Sequence, residues 1–298
     1  MRCECEFIEI ALERKTHDQQ NGYPMTWSDG IWVFLVLSFL QPLLRQRYLE
    51  VKRQFHIARF EKKRGSRVIL LVHRQETMRL LGFPVMRYID VTDSEDVLKA
   101  IQLTDPDVPL DLVLHTPGGL ALAALQIARA LGDRKAKVTV FVPYYAMSGG
   151  TLIALAAAEI VLSPHAILGP IDPQIGEYPA ASFLKVISQK PPSEIDDETL
   201  MKADVAAKAI AQMRSAVKAL VAPYHDAQKA EDIAFRLTDG HWTHDYPIFA
   251  DEAKALGLPI STAMPPEIVE LMGLFVQPVR SSSGGVEYLP GRRQRDDT

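Results

Sequence analysis

The residue best suited to chemistry is Ser148, which follows a predicted strand at residues 138–142 and precedes a predicted helix at residues 151–158. The strand prediction rests on alternating β-branched residues, and the helix prediction on a run rich in alanine. Two glycines after the serine favour a tight turn, with the hydroxyl exposed at the end of a sheet and backbone amides facing an incoming carbonyl. Serine at such a turn is also typical of a helix N-cap, so this segment alone does not establish a nucleophile.

A second glycine turn favours the catalytic interpretation. A predicted strand that begins at Leu112 ends in Gly118 and Gly119, and a predicted helix follows at residues 121–131. Because two consecutive strand–helix units are predicted, the serine turn and the glycine turn are expected at the same edge of a parallel sheet. Open α/β sheets bind their ligands at that edge. The alternation of strands and helices along the chain predicts an α/β fold with a mostly parallel sheet.

Composition excludes several classes of protein. The chain has 298 residues, of which 47% are hydrophobic and 23% charged, as in ordinary globular proteins. A net charge of −4 argues against a general nucleic-acid binder. The two cysteines, Cys3 and Cys5, do not form a disulfide scaffold, which favours a reducing, cytoplasmic compartment. Without a phosphate-binding glycine loop or a metal-ligand cluster of suitable spacing, we predict no cofactor and no metal.

The chain is predicted to have four parts. Residues 1–24 and 279–298 are expected to be disordered, and residues 65–278 to form the main domain. Residues 25–64 are apolar and then basic, and their uncharged run at 31–44 contacts either a membrane, on its cytoplasmic face, or another subunit. The run is shorter than the roughly 20 residues that span a bilayer, which favours the subunit contact.

Four motifs are shared with one known family. They are residues 115–119 (His-Thr-Pro-Gly-Gly), 145–151 (Tyr-Ala-Met-Ser-Gly-Gly-Thr), 168–174 (Leu-Gly-Pro-Ile-Asp-Pro-Gln) and 242–247 (Trp-Thr-His-Asp-Tyr-Pro). In this combination the chain resembles the serine dehydrogenase proteinase family, Clp-fold serine proteases related to signal peptide peptidases, over residues 31–277. The resemblance implies a Clp/crotonase-like spiral of β-β-α units, hydrolysis of polypeptides and assembly into a homo-oligomer.

The same resemblance implies roles for the residues of the two turns. Ser148 matches the family's nucleophile, which attacks the peptide carbonyl and forms an acyl-enzyme. Gly118 or Gly119 matches the oxyanion-hole glycine, and the amide of Gly149 is its partner. Such a donor, aimed at the developing negative charge, contributes roughly 3 kcal/mol to lowering the barrier.

The sequence leaves the general base open among several residues. Clp-type proteases carry a histidine in the strand after the nucleophile helix, and residues 167–173 contain none. Signal peptide peptidases use a lysine of a later helix instead, and here Lys208 fits the family pattern best, with Lys202 second. A lysine acts as a base only if burial or a nearby cation lowers its pKa. Lys208 also stands four residues after Asp204, the spacing of an ordinary surface ion pair.

Three further residues are candidates for supporting roles. Asp172 lies between two prolines and is either a turn former or a contact of the catalytic group. Asp245 stands where Clp-type proteases carry the acidic member of their triad, and the neighbouring His244 is a further possible base. Two other functions remain as alternatives: a crotonase-type enzyme acting on CoA esters, and a non-catalytic membrane-associated scaffold of the same fold.

Overall fold

The computed structural model describes residues 27–73 and 87–275. The helices, in chain order, are α1 (Trp27–Arg64), α2 (Val91–Gln102), α3 (Ala121–Gly132), α4 (Gly149–Ala154), α5 (Ala180–Gln189), α6 (Asp197–Val221), α7 (Ala227–Thr238), α8 (Ala250–Leu256) and α9 (Pro266–Gly273). The strands are β1 (Arg67–Val72), β2 (Leu110–His115), β3 (Val138–Val142), β4 (Tyr145–Ala146), β5 (Glu159–Leu162), β6 (Ile167–Leu168), β7 (Gln174–Ile175), β8 (Tyr178–Pro179) and β9 (Ile260–Ser261). The segments predicted to be disordered, 1–24 and 279–298, lie outside the described residues.

The central sheet has five parallel strands in the order β1-β2-β3-β5-β9. Every residue of β2 and β3 is buried, because apolar clusters cover both faces of the sheet. Leu112 and Leu114 face the larger cluster, whereas Val113 faces a smaller cluster that includes Phe60 and Phe141. Parallel sheets buried on both faces have such continuous apolar strands. The predicted α/β class with a mostly parallel sheet is confirmed.

Short strands continue from the carboxyl edge of this sheet. β4 and β6 form a two-stranded parallel pair, and β7 and β8 form an antiparallel hairpin. Thr116, just after β2, forms an isolated parallel bridge with Ala146 of β4. In this bridge the Thr116 amide donates to the Tyr145 carbonyl at 3.2 Å, and the Met147 amide donates to the Thr116 carbonyl at 3.0 Å. The bridge therefore holds the segment after β2 against the segment before Ser148.

The chain divides into two compact units, Met1–Lys52 and Arg53–Thr298. α1 begins in the first unit, continues through Pro42 and ends in the second. In the first unit this helix exposes several large apolar side chains: Phe34, Leu40, Leu44, Tyr48 and Val51. Among the described helices, none has the combination of length and apolar character that a membrane span requires.

Candidate active site

Ser148 occupies a strained turn between β4 and α4. Its φ of +50° and ψ of −113° make it the one non-glycine residue with a positive φ among residues 27–73 and 87–275. Two hydrogen bonds hold the turn: the Gly150 amide donates to the Met147 carbonyl at 2.7 Å, and the Leu152 amide donates to the Ser148 carbonyl at 3.0 Å. A non-glycine residue persists in such a conformation only where its surroundings determine it, and catalytic nucleophiles are a common case.

The Ser148 side chain is half-buried and is not used as a helix cap. Within the described part of the chain its hydroxyl makes no hydrogen bond. Ser148 stands at the N-cap position of α4, as the capping interpretation expects, but its side chain makes no capping hydrogen bond. The hydroxyl is available to a substrate or to a base.

The glycine turn packs directly against the serine turn. Gly118 has a φ of +107°, and a Cβ atom at this position would lie 2.9 Å from the Ser148 Cβ. Gly119 has a φ of +154°, and its Cβ would lie 2.3 Å from the backbone nitrogen and oxygen of Ile89. Both the dihedral angles and the close contacts therefore require glycine at these two positions.

Two backbone amides of these turns have no hydrogen-bond acceptor within the described residues. Gly119 pairs with Ile89 in a parallel bridge, but the bridge uses the Gly118 carbonyl and the Leu120 amide and leaves the Gly119 amide unpaired. The Gly149 amide is at the first position of α4, where no carbonyl of the helix can accept it. A methyl group placed on Gly149 would lie 3.6 Å from the Gly119 nitrogen, so the two groups are close together.

The adjacent Gly118 amide is already engaged. It donates to the hydroxyl of Thr116 at 3.2 Å, and both groups are buried. Of the two glycines that the sequence left as alternatives, Gly119 thus has the unpaired amide.

A histidine and an aspartate form a pair in the same region. His244 Nδ1 lies 2.7 Å from Asp172 Oδ1, and the Asp172 side chain is almost fully buried. Gln174 Nε2 donates to Asp172 Oδ2 at 2.6 Å, which fixes the other carboxylate oxygen. The hydrogen bond with Asp172 raises the pKa of the His244 imidazole above its ordinary value of 6.5, while burial opposes this effect and the charges of Asp172 and Asp245 add to it.

Backbone contacts position the two loops that carry this pair. Asp172 follows β6, and its neighbour Ile171 donates its amide to the Leu237 carbonyl at 2.7 Å. His244 lies between α7 and α8, and this loop is fixed by a double hydrogen bond between Leu168 and Ile248 at 2.9 and 3.0 Å. Because both loops are attached to β6, the histidine and the carboxylate meet although they are 72 residues apart.

The serine and glycine turns and the pair of His244 with Asp172 line one cavity of about 710 Å³. Its lining includes Ser148, Asp172 and His244 together with Gly119 and Gly149. The remaining walls are mainly apolar and come from α3, α4 and α6; they include Leu120, Leu122, Leu125, Leu152 and Met213. A peptide carbonyl placed in this cavity would meet a hydroxyl, two amide donors and an imidazole on an otherwise apolar surface.

The two candidate lysines are placed elsewhere. Lys208 forms an exposed ion pair with Asp204 at 2.5 Å, and Lys202 forms one with Glu198 at 2.6 Å. The hydrogen bond that Lys202 donates to Glu198 raises the pKa of Lys202, which is the opposite of what a general base requires. Neither lysine is among the described residues that line the cavity.

The remaining candidate, Asp245, is exposed and lies next to His244 in the chain. It contributes the smallest of the charge effects that raise the pKa of His244. Sequence reasoning overlooked Gln174, although it belongs to the same motif as Asp172. The pair of Asp172 and His244 is not apparent from the sequence, because the two residues are 72 positions apart in different motifs.

Comparisons with known proteins place this chain in one family. The profile of the family described as ClpP-like SDH-type serine proteinase matches residues 19–298. The uncharacterized protein MJ1495 of Methanocaldococcus jannaschii is 47% identical over 270 residues, which cover 90% of this chain and 92% of that protein. The uncharacterized protein MJ0137 of the same organism is 46% identical over 259 residues, which cover 87% of this chain and 90% of that protein.

Two solved structures are similar at a greater distance. Both are mutants of the 1510-N membrane-bound stomatin-specific protease, and one is in complex with a substrate peptide. The first is 20% identical with a TM-score of 0.41 and covers 62% of this chain and 79% of its own. The second is 21% identical with a TM-score of 0.42 and covers 61% of this chain and 74% of its own. Since the family profile covers nearly the whole chain, this protein belongs to the ClpP-like SDH-type serine proteinases and is a serine peptidase.

Proposed function

We propose that this protein hydrolyses peptide bonds with Ser148 as nucleophile, His244 as general base and Asp172 as the residue that orients the imidazole. One observation carries the proposal: all three residues line a single cavity, and His244 is hydrogen-bonded to Asp172 there. A serine, a histidine and a buried carboxylate in this relation perform acyl transfer in proteases of unrelated folds.

The hydrogen bond to Asp172 assigns the two nitrogens of the His244 ring. Because Nδ1 donates its proton to Asp172, Nε2 carries the lone pair that accepts the proton of the Ser148 hydroxyl. The imidazolium formed in this way then gives that proton to the amine that leaves. The carboxylate stabilises the imidazolium, in agreement with the raised pKa of His244.

The proposal requires the Ser148 hydroxyl to approach Nε2 when a substrate binds. In the structure this hydroxyl makes no hydrogen bond with a described residue. Catalytic hydrogen bonds are often long in ligand-free enzymes and shorten in the complex with substrate. A hydroxyl without a competing partner is free to turn towards the imidazole.

The amides of Gly119 and Gly149 form the proposed oxyanion hole. Both are unpaired within the described residues and lie beside Ser148, where the carbonyl oxygen becomes negatively charged on attack. Amides held rigidly in this way need no reorganisation as the charge develops, and this is the source of their effect on the barrier. The rigid glycine turn and the first residue of α4 supply that rigidity.

The sequence predicted a lysine as the general base, whereas we propose His244 in that role. Lys208 and Lys202 each hold an exposed carboxylate, whereas His244 lies in the cavity with a buried one. A lysine would have to leave its carboxylate partner to act in this cavity, or act in the site of a neighbouring subunit. The positions in this chain therefore favour histidine as the base.

Covalent labelling with a fluorophosphonate probe tests the proposal. We expect the wild type to be labelled, Ser148→Ala to be unlabelled and His244→Gln to react at least about a hundredfold more slowly. Lys208→Met and Lys202→Met are matched controls that should react at the wild-type rate. Loss of labelling in a lysine variant, with normal labelling of His244→Gln, would overturn the assignment of the base. Absence of labelling together with binding of a CoA ester would favour the crotonase alternative, and absence of both would favour the scaffold.

We also propose that the protein forms a homo-oligomer through α1. The observation that supports this is the exposure of apolar side chains in the first unit, where Phe34, Leu44 and Val51 are each between 64% and 69% exposed. Light scattering should show a higher mass for the wild type than for Leu44→Glu with Val51→Glu, and Gln46→Glu is the matched control. An unchanged mass in the double variant would contradict this interface.

A further inference from the structure

A second histidine is buried behind the glycine turn, outside the catalytic cavity. His73 follows β1 and is only 4% exposed. Its Nδ1 lies 3.0 Å from the Thr116 hydroxyl, and its Nε2 lies 3.2 Å from Asp93 Oδ2. Neither the proposed catalytic chemistry nor the hydrophobic core explains why a histidine occupies this position.

These contacts form one directed chain of hydrogen bonds. A carboxylate only accepts, so Asp93 fixes the proton of His73 on Nε2, and Nδ1 accepts the proton of the Thr116 hydroxyl. The Thr116 oxygen then faces the Gly118 amide with its lone pairs and accepts from it at 3.2 Å. The other acceptor near this hydroxyl, the Gly118 carbonyl, is farther away at 3.4 Å and already accepts from the Ile89 amide at 2.7 Å.

Thr116 is also the residue that joins the two turns of the site. Its backbone exchanges two hydrogen bonds with the segment before Ser148. Its methyl carbon packs against Gly150, where an added Cβ would lie only 2.6 Å from it. The side chain is completely buried. Any change in its hydroxyl bonding is therefore transmitted to the glycine turn and not to solvent.

We infer that Asp93, His73 and Thr116 are positioning residues that fix the glycine turn so that the Gly119 amide faces the reacting carbonyl. This inference rests on the proposed function, because it assigns Gly119 to the oxyanion hole. The peptide group that carries the Gly119 amide is held from two sides: its carbonyl, that of Gly118, accepts from Ile89, and the preceding Gly118 amide is held by Thr116. If the hydroxyl is lost, the Gly118 amide is buried without an acceptor and the turn can rotate to satisfy it.

A pair of substitutions at Thr116 tests the inference. Thr116→Val keeps the shape of the side chain and removes the hydroxyl, whereas Thr116→Ser keeps the hydroxyl. With the fluorophosphonate probe we expect the maximal inactivation rate of Thr116→Val to fall at least about tenfold. This is less than the roughly 100- to 1000-fold loss on removing an oxyanion donor, because the Gly119 amide is displaced and not removed. The half-saturating probe concentration should stay within about twofold, and Thr116→Ser should keep the rate within about threefold.

A second pair covers the case in which Thr116→Val fails to fold. Asp90 and Asp93 cap α2 reciprocally, each accepting the other's amide at 2.9 to 3.0 Å, but only Asp93 contacts His73. Both Asp93→Ala and Asp90→Ala lose the reciprocal cap, and Asp93→Ala should lose somewhat more thermal stability because it also leaves the buried His73 without its acceptor. Only Asp93→Ala should slow inactivation, by more than about threefold.

These measurements separate a failure of the positioning role from a failure of the proposed function. Rates that are equal in Thr116→Val and Thr116→Ser, or in Asp93→Ala and Asp90→Ala, would overturn the positioning role while leaving Ser148 as nucleophile. A wild type that shows no labelling dependent on Ser148 would instead overturn the proposed function, and the positioning role with it.

Discussion

Replacement of Asp172 by asparagine is the most informative perturbation of the proposed site. Asp172 accepts from His244 Nδ1 at 2.7 Å and from Gln174 Nε2 at 2.6 Å, and only 3% of the residue is exposed. In Asp172→Asn, the amide nitrogen can be placed towards His244. The ring then carries its proton on Nε2 and cannot accept the proton of Ser148.

The expected loss is large because the wrong tautomer removes the base without disturbing the packing. The same change in the serine protease triad lowers kcat about 10⁴-fold, and we expect Asp172→Asn to lie within about a factor of ten of that value. A factor of 10⁴ corresponds to about 5.4 kcal/mol of barrier. The matched control is Asp245→Asn, which alters the exposed carboxylate next to His244 and should change kcat by no more than about threefold.

The pH dependence of the same variants gives an independent test. A general base acts when it is neutral, so the activity of the wild type should rise as the pH passes through the pKa of His244, which lies above 6.5. The hydrogen bond with Asp172 is the largest cause of that raised pKa. Its loss should move the acid limb of the residual activity of Asp172→Asn to lower pH, and Asp245→Asn should move the limb only slightly in the same direction.

The assay is the rate of fluorophosphonate labelling between pH 5 and pH 9, with thermal unfolding as the check on folding. If Asp172→Asn retained more than about a tenth of the wild-type rate, or kept the acid limb of the wild type, Asp172 would not be the partner of the base. A larger effect of Asp245→Asn than of Asp172→Asn would likewise exclude Asp172 as the residue that orients His244.

Three further predictions concern stability. Gly119→Ala should lower the free energy of unfolding by about 3 kcal/mol or more, because the φ of Gly119 is +154° and an added Cβ would overlap backbone atoms. In the matched variant Gly176→Ala, where φ is +64° and no atom lies within 4 Å of the added Cβ, the loss should be about 1 kcal/mol. Urea denaturation measures both losses. Asp111→Ala should cost about 3 kcal/mol, because it leaves Arg64 and Ser66, at 2.5 and 2.6 Å from the buried carboxylate, without their acceptor. The pair of His244 with Asp172 should stabilise the fold fully below pH 6.5 and lose this contribution as the pH rises through the raised pKa of the histidine. The difference in unfolding free energy between wild type and His244→Gln should therefore be larger at pH 6 than at pH 9. Equal losses in the two glycine variants would contradict the first prediction, and an Asp111→Ala variant as stable as the wild type would contradict the second. The third would be contradicted if the stability difference between wild type and His244→Gln grew with pH.

The parallel sheet and the two turns were predictable from the sequence because local chemistry determines them. Continuous apolar runs indicate strands buried on both faces, and a glycine or serine turn after such a strand must lie at the carboxyl edge. Gly118, Gly119 and Ser148 were therefore expected near one another, and the structure brings their turns into contact.

The pairing of His244 with Asp172 was not predictable in the same way. These residues lie on two irregular loops. The Asp172 loop follows β6 in the chain, and the His244 loop is bonded to β6 by the backbone pair of Leu168 and Ile248, which no sequence periodicity reveals. The helix that carries Lys208 illustrates the opposite case. Lys208 stands four residues after Asp204, a spacing that indicates a surface ion pair, and the structure contains that pair.

In the proposed mechanism the Ser148 hydroxyl attacks a carbonyl whose oxygen is bound by two backbone amides, and the His244 imidazole takes the proton of that hydroxyl. A crystal structure of the wild type after reaction with a fluorophosphonate would test this mechanism most directly. We expect phosphorus bonded to Ser148 Oγ, a phosphonyl oxygen about 3 Å from the amides of both Gly119 and Gly149, and His244 Nε2 about 3 Å from Ser148 Oγ. A lysine ammonium in the place of the imidazole, from this chain or a neighbouring subunit, or a phosphonyl oxygen directed away from the two amides, would contradict it.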